Sequence, residues 1–303
     1  MKRIDFRFYM CSFFFLFHSF ASPAQFHFSD FTKVQEEPPP SSVFYFTPSL
    51  NQKLIYMAVR HTNDMKSSVA TTIKNLLEKE NVDFCILEGF EESEGISPQR
   101  VVSKAENQVA KGICGENLYA AHLCHSLRIH FIGGEKGEKF YLQQLEKYGI
   151  VEEDLVFYLL AQQIPWWHRD GTFEKENLKV QFETFMKEDI STWLEVEPVK
   201  YTYEDFIGWH EKHMGCSYDP EKNFLWDSKQ EELLPYLGPG ATRYQKIAAY
   251  IMYIRDEHVV DVIQRAISNH STVLVIYGAY HYKWQKKTLL DLFGAPVKTF
   301  LIK

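Results

Sequence analysis

The chain has 303 residues, 45% of them hydrophobic and 24% charged, with a formal net charge of −7. That is enough apolar material to bury a substantial core. An acidic balance without a dense Lys/Arg cluster argues against nucleic acid as a partner.

At the N-terminus, Lys2, Arg3 and Arg7 precede a short apolar stretch, residues 11–20, and then the small residues Ser22, Pro23 and Ala24. The pattern reads as a secretory signal over residues 1–24, cut after Ala24. The stretch falls short of the roughly 20 apolar residues that cross a bilayer, so no stable membrane span is expected. Retention as an interfacial anchor is the competing expectation. An exported protein, periplasmic or secreted, follows, in a compartment that permits disulfides. Four cysteines then remain, Cys85, Cys114, Cys124 and Cys216. Their number allows three pairings and does not choose among them. Cys85 sits in an apolar run and reads as a free core thiol.

Residues 25–52 read as a Pro-containing leading segment, because 36–42 (EEPPPSS) is polyproline-like and hydrated. A single α/β domain is expected over 53–303. Residues 53–59 (KLIYMAV) form the first apolar run, ending at Arg60-His61. Asn63 or Asp64 can cap the helix that follows, whose apolar face is Val69, Ile73, Leu76 and Leu77. Residues 83–87 (DFCIL) are a second strand, ending at Glu88-Gly89. Strand, helix and strand at this spacing predict a right-handed βαβ unit, which puts His61 and Glu88 on one rim of a parallel sheet.

A helix over 116–127 leads to a third strand, 128–132, which ends near Glu135. Helical patterns follow over 137–148, 152–163, 174–190, 203–214 and 242–268. Residues 165–171 (PWWHRDG) read as an aromatic loop, either a lid or edge-of-core packing. The run 273–277 (VLVIY) has no polar alternation and reads as a strand buried on both faces. Gly278 ends it and His281 follows, before a helix over 283–293 and a last strand over 297–302. The fold class expected is α/β: a central, mostly parallel sheet flanked by helices, with a helical middle insertion.

His61, Glu88, Glu135 and His281 each lie at the end of an apolar strand-like run, where open α/β sheets place ligands. Two imidazoles and a carboxylate can hold a divalent metal with a position open for water. Without a metal, histidine and glutamate can activate water directly. The bland alternative is a buried ion network in which Glu88 and Glu135 pair with Arg60 or Arg255. His210 and His213 with Cys216 form a competing metal candidate, and His122 and His125 repeat the spacing. Neither has the His-Glu-x-x-His order of a zinc peptidase helix, so both read as surface or core histidines.

Tyr277-Gly278-Ala279-Tyr280-His281 resembles the second Gly-x-x-His motif of the TraB/GumN/Tiki superfamily, whose relatives include erythromycin esterase-like and ChaN-like haem-uptake proteins. Ile254-Arg255-Asp256-Glu257 resembles its arginine-bearing helix, and Leu87-Glu88-Gly89 its glutamate after the second strand. Phe131-Ile132-Gly133-Gly134-Glu135 resembles the next block. His61 takes the place of the first motif's histidine, with Ala58 where glycine is usual. The resemblance spans residue 53 to the C-terminus. It implies an α/β fold and a site at the strand ends, with chemistry that differs between members.

Two functions are therefore expected. One is an exported hydrolase, peptidase-like with a metal or esterase-like, acting on a peptide, ester or small molecule. In it His61, His281 and Glu88 bind the metal or activate water, Glu88 and Glu135 supply carboxylates, and Arg255 orients a carboxylate or stabilises an oxyanion. The other is a haem or small-ligand binding protein without catalysis, using Tyr280, His281 and Tyr282 on iron and Trp166 and Trp167 as cover.

Overall fold

A computed structural model describes residue 31 and residues 39–195, 200–220, 222–223 and 233–303. The secretory pattern of residues 1–24 lies outside the described residues. The expected α/β architecture is present. Six strands form one sheet in the order β4-β3-β5-β2-β1-β6. They are β1 (Ser42–Ser49), β2 (Gln52–Val59), β3 (Phe84–Glu91), β4 (His130–Glu135), β5 (Thr272–Gly278) and β6 (Lys298–Leu301). The strands β4, β3, β5 and β2 run parallel, while β1 is antiparallel to both neighbours.

The apolar runs alternate between the two faces with period two. In β2, Ile55, Met57 and Val59 join one core while Leu54, Tyr56 and Ala58 join the other. In β5, Leu274 and Ile276 face the first core, and Val273, Val275 and Tyr277 the second. Both faces are therefore sealed, which is why these strands carry no polar alternation. All five residues from Val273 to Tyr277 are fully buried, each aliphatic one contributing about 1.5–3 kcal/mol by leaving water.

One face is covered by α1 (Ser68–Lys79), α2 (Gln99–Ala110) and α3 (Glu116–Leu127). The helical middle section comprises α4 (Glu138–Leu145), α5 (Glu152–Asp170), α6 (Leu178–Phe185), the short α7 (Ser191–Leu194) and α8 (Tyr203–Met214). The other face is covered by α9 (Arg243–Asn269) and α10 (Ala279–Phe293). The N-terminal half of α9 is the hub of the middle section, through Tyr244, Ile247, Ala248 and Ile254. Asp154 of α5 fixes this join, accepting from Arg243 Nε at 3.0 Å and from Trp209 Nε1 of α8 at 3.1 Å. No helix among the described residues is long and apolar enough to cross a membrane.

Three local expectations are corrected. The leading segment is not all outside the core: 42–49 is β1, with Val43 and Phe46 fully buried. Its run of aromatic and β-branched residues is strand-forming, but it adjoins the proline tract. β2 and β3 are parallel, as the βαβ spacing predicts, with β5 between them. The cap of α1 is Ser67, whose hydroxyl accepts from Ala70 N–H, rather than Asn63 or Asp64. The aromatic stretch 165–171 is the end of α5, with Pro165 inside it. Proline removes one helical hydrogen bond, but Ile164 and Trp167 are buried against the middle section, and that packing carries the helix through.

Candidate active site

The order β3-β5-β2 sets three carboxyl-terminal ends side by side, and the candidate residues meet above the middle one. A Cβ added to Gly278 would lie 3.1 Å from His61 Nε2, 3.3 Å from Glu88 Oε2 and 3.5 Å from His281 Cδ2. Glycine here lets His61 and Glu88 approach the backbone more closely than a Cβ ordinarily permits.

Glu88 continues the alternation of Phe84 and Ile86 and so points to the face covered by α9. There its Oε1 accepts from an Arg255 terminal nitrogen at 3.0 Å, and its Oε2 accepts from the Gly278 N–H at 2.6 Å. His281 Nε2 stands 3.3 Å from Oε1. Arg255 also pairs with Glu135, whose Oε1 accepts from the Gly89 N–H at 2.9 Å. The buried ion network that the sequence allows is therefore present as Glu88–Arg255–Glu135, with Arg255 as its cation. Arg60 is outside this network: it donates to the Pro39 carbonyl at 3.1 Å and lines the neighbouring cavity beside His61.

His281 lies in the first turn of α10 rather than in a loop, because the helix begins at Ala279. Its Nδ1 bonds Asp256 Oδ1 at 2.7 Å. That oxygen also accepts from Gln285 Nε2 at 2.6 Å, and Tyr56 OH donates to Gln285 Oε1 at 2.9 Å. Burial alone would lower the pKa of His281, but Asp256 and Glu88 outweigh it and lift it to about 9. Burial would raise that of Glu88, but His281, Arg255 and His61 hold it well below the usual carboxylate range. The pair is an imidazolium and a carboxylate at neutral pH.

His61 differs from these groups. Its side chain is 63% exposed, and its Nδ1 is held at 2.5 Å by Oε1 of Glu116, a carboxylate only 5% exposed. The other Glu116 oxygen accepts from the Thr62 N–H at 3.1 Å, so one side chain fixes both ring and backbone. The bond to Glu116 raises the pKa of His61 above its ordinary value. Glu116 is the first residue of α3, where the helix dipole favours a negative charge. The sequence pattern marks it only as a helix start. Its signal is a carboxylate directly after Gly115, at the head of a helix whose next turn is apolar. Asp256 and Gln285 also escape notice, being polar residues on helices whose burial depends on what packs against them.

A cavity of about 570 Å³ opens at this rim. His61, Gly278, Ala279 and His281 form one end of it. Tyr158, Gln162 and Trp166, one face of α5 at four-residue spacing, form another wall with Met252 of α9 and Trp284 of α10. Tyr280 lines it too. Tyr282 does not: its ring is buried against Phe44 and Tyr56. Trp167 is buried beside Phe185, so Trp166 alone of the tryptophan pair reaches the cavity.

The donor atoms suit proton chemistry better than a metal. Both Glu88 oxygens accept from N–H donors, and both His281 nitrogens face carboxylates. Among the described residues no group of three or more His, Cys, Asp or Glu side chains is arranged to hold a metal ion. His210 is fully buried, bonded to Tyr244 OH at 3.1 Å, and burial pushes its pKa down to about 4. It is a neutral core histidine. Cys216 is exposed, and the Sγ atoms of Cys85 and Cys124 lie 3.4 Å apart in the core.

Comparison of the chain with protein-family models, with curated proteins and with solved structures returns no match.

Proposed function

We propose that the chain is an exported hydrolase of ester or amide bonds in which His61 is the general base. The observation that carries this reading is the His61–Glu116 pair at the mouth of the cavity. Glu116 holds Nδ1, so that Nε2 is turned toward Gly278 and the space above it. This is the base-and-orienter geometry that acyl transfer needs. Glu88 is a poor base by contrast, because three donors stabilise its charged form.

In the proposed reaction Nε2 takes a proton from water as the water oxygen attacks the substrate carbonyl carbon. Glu116 stabilises the resulting imidazolium. In this reaction the N–H groups of the first turn of α10, which carry no side-chain cap, receive the carbonyl oxygen as it gains charge. The imidazolium then returns its proton to the leaving alkoxide or amine as the bond to carbon breaks. Arg255 and His281 lock Glu88 against Gly278 and so hold the turn in place.

The test uses the mature chain with p-nitrophenyl esters and a mixed peptide library, in buffer with and without EDTA. His61→Ala is expected to lower kcat by about 10²–10⁴-fold, with EDTA without effect. Activity equal in wild type and His61→Ala would end this reading. Loss on chelation, restored by a divalent ion, would replace it with the metal-dependent hydrolase. A non-catalytic haem or small-ligand protein is the second reading, favoured by the aromatic cavity wall. A Soret shift on haem titration, abolished by changing His281 or Tyr280, would support it.

A further inference from the structure

The shape of the cavity narrows the substrate class of the proposed hydrolase, and this assignment rests on the hydrolase reading. The charged and imidazole groups, Arg60, His61 and His281, are at one end around Gly278, and Gln162 is set in the α5 wall. Beyond them the walls are Tyr158 and Trp166 from α5, Met252 from α9, Leu233, and Tyr280 and Trp284 from α10. Tyr280 and Trp284 stack at 5.4 Å with planes 13° apart, a flat apolar wall one turn along α10. Trp284 is 9% exposed and Leu233 8%, whereas His61 is 63% exposed. The wall at Trp284 and Leu233 is thus deep, while Trp166, 44% exposed, and the base lie toward the mouth.

The volume of about 570 Å³ is that of a site for a small molecule, not for a folded partner. The two ends of a bound ester can be told apart. The leaving group must receive a proton from His61 and depart, so it belongs at the exposed mouth. The carbonyl oxygen belongs at the first turn of α10. The acyl chain then continues along α10, over Tyr280 and Trp284, into the deep part. We propose that the substrate is an ester of an apolar carboxylic acid, with an alkyl or arylalkyl acyl chain of medium length filling the cavity. Water is the second reactant; a carboxylic acid and an alcohol are the products.

The experiment is a chain-length series of p-nitrophenyl acetate, butyrate and octanoate on the wild-type chain. Each methylene fully removed from water is worth about fourfold. kcat/KM is therefore expected to rise on the order of tenfold or more from butyrate to octanoate. Met252→Trp, which narrows the apolar wall, is expected to cut the octanoate-to-acetate ratio by about tenfold, with circular dichroism confirming the fold. Calorimetric titration of His61→Ala with octanoic acid is expected to show saturable binding. Ester hydrolysis with a flat or falling chain-length series would overturn the assignment and leave the hydrolase reading standing. Saturable octanoate binding without hydrolysis of any ester by wild type would overturn the hydrolase reading and the ester assignment with it, leaving a binding site for apolar carboxylic acids. Cleavage of peptides after apolar residues, with no octanoate binding, would overturn the assignment in favour of a peptidase.

Discussion

At the scale of single residues, the decisive contact is the one between His61 and Glu116. Histidine is a base only when neutral, and Glu116 raises its pKa. The limb of kcat/KM that reports His61 is therefore expected above pH 6.5, rising with pH. Glu116→Gln removes the acceptor charge, so the limb moves to lower pH while kcat falls about 10- to 100-fold. A pH–rate profile of both proteins checks this, and an unmoved limb would remove Glu116 from the mechanism. Gly278 gives a second test. Its missing Cβ is the space in which His61 and Glu88 meet. Gly278→Ala is expected to lower stability by about 1–3 kcal/mol and to displace His61, seen as a lower denaturation midpoint together with a lower kcat.

Among the elements, α9 joins the two halves of the site. Its N-terminal half packs the middle section, its C-terminal half seals one face of the sheet, and between them Arg255 and Asp256 meet Glu88 and His281. Thr242 and Gln245 form a reciprocal capping box at its start. Thr242→Ala is expected to lower stability by about 1 kcal/mol, measured by urea unfolding, with the KM for the longest ester rising because Met252 lines the cavity. The sheet positions matter equally. β5 enters between β2 and β3, and this insertion puts Gly278 between His61 and Glu88. The first βαβ spacing predicts the shared rim. It does not predict which strand fills the gap, because β5 arrives from about 180 residues further along the chain.

For the molecule as a whole, the buried pairs tie stability to pH. His281 has a folded pKa of about 9 against an ordinary 6.5. Its contribution is therefore fully present below pH 6.5 and is lost as pH rises from 6.5 to about 9. Glu88 is depressed, so its contribution is present above the ordinary carboxylate range and fails only in strong acid. The melting temperature is expected to fall between pH 6.5 and 9 in wild type. In Asp256→Asn it should be lower at pH 6 and fall less over that interval, with Glu88 still beside His281. A wild-type curve flat from pH 6 to 9 would contradict the His281–Asp256 pairing.

The order of amino acids alone carries the fold class, the apolar runs 53–59, 83–87, 128–132, 273–277 and 297–302, and their helical partners. Those features follow from hydrophobic period and from strong local punctuation by glycine. The same pattern puts His61, Glu88 and His281 in one neighbourhood, since parallel strands share an edge, whereas Arg255 sits on a helix that this pattern does not place. What each of them bonds to is decided by three-dimensional packing. Whether a carboxylate is a base or a locked anion depends on how many donors reach it, and those come from α9, α10 and a turn far apart in the chain. Glu116 became the partner of His61 because α3 begins at the same rim. The cavity depends on α5, α9 and α10 meeting side by side. Local pattern carries periodicity; it does not carry the register at which distant side chains meet.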